Sequence, residues 1–234
     1  MNISIRHALP FFDLNQALAR LGAQMLAHGP AANRALALPT QSTASDAAAN
    51  DALCMQRYQR GEPQAFRTLY ERYREPLHRY VLRMSTSAAE ADEVFQDVWL
   101  SVIQGKERFS AQMKFSAWLF AIAHRRIADR WRAQGRHAPD SLHRVDDSAQ
   151  ALADIADTQL PGPDRHAHNH ALGGVLLDAV SALPIAQREA FLMQAEAGLS
   201  LDEIAQVTGV PRETVKSRLR YASERLRRAL EAWR

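Results

Sequence analysis

The sequence predicts an all-α protein, built as two small helical domains joined by a flexible linker. Three observations carry this. Apolar residues recur at steps of three and four through much of residues 51–136 and 172–234. No two-residue alternation of a half-buried strand competes with that period. Between the two segments, residues 137–171 lose periodicity and collect Pro139, Pro161, Gly162 and Pro163 among several aspartates, a linker composition.

Residues 1–50 form an N-terminal extension. Leu14, Ala17, Leu18, Leu21 and Met25 could share one face of a short helix, whereas residues 31–50 are rich in Ala, Ser and Thr and read as a tether or marginal helix. The denser segment 51–136 opens with Ala65, Phe66, Leu69, Tyr73, Leu77, Tyr80, Val81 and Met84 at helical intervals. The next helix carries Val94, Phe95, Val98, Trp99 and Val102, with Ser87 as its N-cap and Gly105 as its end. After a turn around residues 108–112, a third helical pattern runs from Lys114 to Arg132. Helices of this number and length can enclose one core. In 172–234, two helices break at Pro184 and two more flank a tight turn.

That turn is the most specific local signal. In LDEIAQVTGVPRETVKSRL, Ile204 and Ala205 line the inner face of a short helix. Gly209 suits a tight turn with positive φ, Val210 anchors it, and Pro211 stands where a helix begins. Val215 and Leu219 face back toward the first helix. This is a helix-turn-helix, whose second helix fits the major groove. Arg212, Thr214, Lys216, Ser217 and Arg220 stand on its outer face, with side chains suited to base edges and phosphates. Arg225, Arg227 and Arg228 could add phosphate contacts.

The overall charge of +3 says little; its placement says more. Asp92, Glu93, Gln96 and Asp97 make one helix acidic and polar, which suits a protein partner. Phe95 and Trp99 on that helix are expected in the core. From Arg108 to Arg136 there are seven Lys or Arg and one acid, Asp129, interleaved with Phe109, Phe115, Trp118, Phe120 and Trp131. Cations for phosphates and aromatic faces for bases favour single-stranded or opened DNA.

These residues resemble a known family. AFRTLYERYREPLHRYVLR, DEVFQDVWLSVI and FSAWLFAIAHRRIADRWR are similar to region 2 of extracytoplasmic-function (ECF) sigma factors, in the sigma-70 family of bacterial RNA polymerase subunits. ALPIAQREAFLMQAEAGLSLDEIAQVTGVPRETVKSRLRYASERLRRAL is similar to their region 4. The resemblance implies a subunit that binds core polymerase, recognises −35 and −10 promoter elements and stabilises promoter melting. It implies docking of Asp92, Glu93, Gln96 and Asp97 on the clamp coiled coil of the largest catalytic subunit, with a further contact at the polymerase flap region. Capture of the melted −10 element falls to Lys114, Phe115, Trp118, His124, Arg125, Arg126 and Arg130, with a flipped base held near residues 107–112. Reading of the −35 duplex falls to Arg212, Thr214, Lys216, Ser217 and Arg220. An anti-sigma factor is an expected partner. The chain departs from the family in its long N-terminal extension, its histidine-rich linker, and Arg125 where an Asn is common.

No phosphate-cradling glycine loop or metal-ligand array is present in the sequence. His166, His168 and His170 alternate without helical spacing or a carboxylate shell, so no catalytic residue, metal or other cofactor is expected. The lone Cys54 allows no intrachain disulfide, and no run approaches the roughly 20 apolar residues of a membrane span. A cytoplasmic protein without membrane insertion is expected. Two other readings remain: a helix-turn-helix regulator of duplex DNA, which leaves the acidic and aromatic helices unexplained, and a degenerate relative that sequesters partners.

Overall fold

The structure is a computed structural model and describes residues 41–135 and 174–231. The expectations for residues 1–40 and for the linker, with its histidines, lie outside the described residues. Every regular element described is helical: α1 (Gln41–Gln59), α2 (Pro63–Met84), α3 (Ala88–Gln104), a 3-10 turn (Lys106–Arg108), α4 (Phe115–Ala133), α5 (174–181), α6 (Ile185–Ala197), α7 (Leu201–Thr208) and α8 (Arg212–Glu231).

Local chemistry sets the boundaries. Pro63 opens α2, where its missing N–H costs no helical bond. Ser87 caps α3 by accepting from the Glu90 N–H, and Gly105 ends it, as expected. Pro184 precedes α6 and separates it from α5. Ser200 and Glu203 form a reciprocal capping box at the start of α7. Gly209 adopts φ +71° between α7 and α8, the left-handed turn its position predicts. α1 is a continuous helix that crosses from residue 50 into 51, so of the two readings of residues 31–50, tether or marginal helix, the helix holds over the described residues 41–50.

The described residues fall into two compact units. The larger holds 41–135 and 184–222; the smaller holds 174–183 and 223–231. In the larger unit Met55, Leu69, Leu77, Tyr80, Val98, Phe115, Leu119, Phe120, Met193, Ile204 and Val215 are buried. Each such side chain contributes about 1.5–3 kcal/mol on leaving water. α2, α3 and α4 pack on one another; α6 lies against α2 and α4, and α7 against α4. Asp51, also buried, accepts bonds from Arg72 and Tyr73. Burial outweighs these bonds and raises the Asp51 pKa, and burial together with the Asp51 carboxylate raises that of Tyr73. In the smaller unit, Leu176, Val180, Leu183, Leu226 and Leu230 are buried.

Candidate protein and nucleic-acid interfaces

The acidic face of α3 forms as its spacing predicts. Asp92, Glu93, Gln96 and Asp97 are all exposed, while Val94, Val98 and Val102 point into the core. Trp99 is buried and Phe95 half-buried, its ring edge-on to both His78 and Trp99. Asp92 lies 3.2 Å from His78 Nε2, and Glu93 pairs with Arg130. The sequence reading missed the apolar continuation of this face. Leu100 and Ile103 are exposed beyond Gln96 at helical steps, out of phase with the buried valines. That phase was available as a signal. Acid at one end and bare aliphatic surface at the other make one compact exposed strip of mixed character.

The basic and aromatic block divides in three directions. Lys114, Trp118 and Arg125 follow one stripe of α4. Lys114 precedes the first turn, Trp118 is half-buried, and Arg125 is exposed, donating to the Ala121 carbonyl of its own helix (3.1 Å). Arg126 and Arg130 lie on a second stripe toward α3: Arg126 donates to Ser101 Oγ (2.7 Å), and Arg130 pairs with Glu93. The third direction is inward. Phe115 is fully buried between Tyr73, Phe109 and Trp118. His124 is buried with Nδ1 2.6 Å from Glu189 Oε1. In this arrangement neither ring faces solvent, so Phe115 supports Trp118 from below instead of presenting a face of its own.

The loop after α3 is anchored at both sides. Gln59 of α1 donates to the carbonyls of Lys106 (2.8 Å) and Phe109 (3.2 Å). Phe109 turns inward against Trp118, at 5.4 Å between ring centroids. Glu107, Arg108, Ser110, Ala111 and Gln112 remain exposed around it.

In α8, Arg212, Lys216 and Arg220 recur at every fourth residue and are exposed, with Thr214 and Ser217 half-buried beside them. Val215 and Leu219 are buried, which fixes the helix's rotation. Arg212 is held by Asp202 (2.9 Å) and Glu213 (3.5 Å), and Lys216 by Glu213 (3.4 Å). The Arg220 guanidinium stacks 4.8 Å from the centre of the exposed Tyr221 ring. These exposed ion pairs are weak and can exchange for phosphate. Among the described residues no group of three or more His, Cys, Asp or Glu could hold a metal, and no helix is long and apolar enough to cross a membrane.

Comparison with known proteins defines the class. Residues 69–137 match Sigma-70 region 2, and residues 174–230 match Sigma-70 region 4. The chain is 30% identical to the ECF RNA polymerase sigma factor RpoE of Cereibacter sphaeroides, over 70% of this chain and 84% of that protein. It is likewise 30% identical to the RNA polymerase sigma factor CarQ of Myxococcus xanthus, over 75% of this chain and 95% of that one. In fold it is similar to a sigma factor RpoE solved with the anti-sigma factor NepR from Bartonella quintana. There the TM-score is 0.53 at 24% identity, covering 72% of this chain and 98% of the other. The chain belongs to the ECF sigma factors, the promoter-directing subunits of RNA polymerase.

Proposed function

We propose that this sigma factor divides its work among three surfaces. The α3 strip of Asp92, Glu93, Gln96, Asp97, Leu100 and Ile103 docks on the clamp coiled coil of core polymerase. Lys114, Trp118 and Arg125 receive the melted −10 strand, with Arg126 and Arg130 along its edge and residues 107–112 beside a flipped base. Arg212, Thr214, Lys216, Ser217 and Arg220 read the −35 duplex in the major groove. Residues 51–136 and 172–234 act as the two promoter-reading modules, and residues 137–171 set the distance between them. Favourable contacts with the opened strand offset an unstacking cost of a few kcal/mol per step. Nucleotide addition belongs to the core enzyme; no catalytic residue or cofactor is assigned to this chain.

The observation that carries this reading is the joint presence, on one chain, of an exposed acidic-apolar strip on α3, cations flanking Trp118 on α4, and a basic stripe on α8. An anti-sigma factor is a fitting further partner, since the Bartonella quintana relative was solved with one. A bacterial cytoplasm is the setting in which these partners meet. The direct test is transcription in vitro with purified core polymerase, this chain as the sole sigma subunit, and a genomic fragment library. Discrete starts that share two spaced upstream elements are expected. Chain-dependent core binding without any such starts would instead support the sequestering reading.

A further inference from the structure

This inference rests on the reading of residues 107–112 as the loop beside a flipped base. That loop follows α3 in the chain, but α1 holds it. Gln59, the last residue of α1, donates from Nε2 to the carbonyls of Lys106 (2.8 Å) and Phe109 (3.2 Å). The two N–H groups of one side-chain amide thus meet two acceptors at either side of the 3-10 turn. The turn is also closed on itself: Arg108 N–H donates to the Gly105 carbonyl (2.9 Å) and Phe109 N–H to the Lys106 carbonyl (3.2 Å). A second tie joins the same elements, since the Lys106 ammonium lies 5.1 Å from the centre of the Tyr58 ring, next to Gln59 on α1.

We propose that Gln59 is a positioning residue for strand capture: through its amide, α1 fixes where the base-holding loop stands. Glu107 and Arg108 lie between the two held carbonyls, and Ser110, Ala111 and Gln112 follow directly; all five are exposed. The constraint also reaches the strand face of α4, because the buried Phe109 ring sits 5.4 Å from that of Trp118. A loop fixed beforehand loses less freedom when it receives an unstacked base, and so binds it more tightly. Glutamine suits the task. A carboxylate in its place would face two carbonyl oxygens, and an apolar chain of the same length would offer neither N–H. Gln59 precedes residues 69–137, the segment that matches region 2, so part of the −10 site is assigned outside that segment.

The test uses the full chain. Gln59→Met keeps the length and removes both donors; Gln59→Glu turns a carboxylate on the two carbonyls. Gln56→Met, also on α1, controls for the change of residue type. In the free chain, amide hydrogen exchange is followed at Arg108 and Phe109, whose N–H groups close the turn. Both Gln59 variants are expected to speed exchange there about tenfold, the scale of two ordinary hydrogen bonds, and to leave the amides of α4 unchanged. With core polymerase, open-complex formation is measured on a promoter from the library assay. It is measured again on copies in which a single abasic non-template position moves stepwise through the −10 element. The wild-type chain is expected to lose about tenfold at one position, the scale of one well-held contact. Gln59→Met is expected to lose about as much on the intact promoter, and nothing further at that position. Comparing templates within one preparation cancels any change in folded fraction or core affinity.

Exchange at Arg108 and Phe109 that matches the wild-type chain overturns the proposal. So does an abasic loss as large in Gln59→Met as in the wild-type chain, which leaves a base-holding loop that owes nothing to Gln59. A wild-type chain indifferent to every abasic position removes the base-holding reading itself, and the proposal with it.

Discussion

His124 Nδ1 and Glu189 Oε1 are 2.6 Å apart, sixty-five residues apart in sequence, and both side chains are buried. A polar group so placed depends on its partner. His124→Leu keeps the volume but strips Glu189 of its closest donor, and a buried acceptor left this way costs about 1–3 kcal/mol. The denaturant midpoint should fall with an unchanged slope. The double change His124→Leu and Glu189→Leu should recover most of the loss, since an apolar pair replaces a buried polar one at little cost. Additive losses in this cycle would show that the two side chains are not coupled.

Arg212 and Lys216 sit on the exposed stripe of α8. Replacing either with Ala should weaken binding to a promoter duplex. If each contacts a phosphate, the slope of log affinity against log salt should fall by about 0.9 per residue. If Arg212 instead meets a guanine, its loss should relax sequence preference at one position by about 1–3 kcal/mol. Salt titrations on matched and mismatched duplexes separate the two.

Leu100 and Ile103 bare aliphatic surface on α3 without filling the core. Replacing both with Ser should leave the unfolding midpoint almost unmoved, yet weaken binding to core polymerase about tenfold or more, the scale of a central interface contact. Sedimentation or anisotropy with purified core measures it. Equal core affinity would remove these residues from the docking strip.

Gly209 has φ +71°, and an added Cβ would meet nothing within 4 Å. The cost of Gly209→Ala is therefore that of the left-handed backbone alone, about 1–2 kcal/mol. Thermal unfolding should register it, with duplex affinity reduced only as far as the folded fraction is.

Burial alone would raise the Glu203 pKa, but hydrogen bonds from Lys114 and from the Ser200 backbone and hydroxyl prevail and hold it below its ordinary 4.5. A depressed carboxylate stabilises the fold above its unfolded pKa and loses that contribution as pH falls through its folded pKa. The stability gap between the wild-type chain and Glu203→Gln should thus be full near neutrality and shrink as pH drops below about 4.5. A gap constant with pH would contradict this.

Much of the molecule was legible because its helices are amphipathic. Val94, Val98 and Val102 set the phase of α3, and the same phase put Asp92, Glu93, Gln96 and Asp97 outward. Gly209 and the buried Ile204, Val215 and Leu219 made the helix-turn-helix readable as a unit. By composition the basic block reads as one face, although its spacing parts Lys114, Trp118 and Arg125 from Arg126 and Arg130. The packing of α6 and α7 on α4 left no such mark. It depends on pairs such as Glu189 with His124, and a glutamate in an amphipathic helix looks like any solvated one until its distant partner is known.

The two oxygens of Glu203 have different employers. Oε2 accepts from the Ser200 N–H at 2.8 Å and belongs to the helix's own cap, whereas Oε1 meets Lys114 at 2.8 Å. The cap therefore does not depend on the ion pair: Lys114→Ala should free Oε1 while the first turn of α7 stays wound.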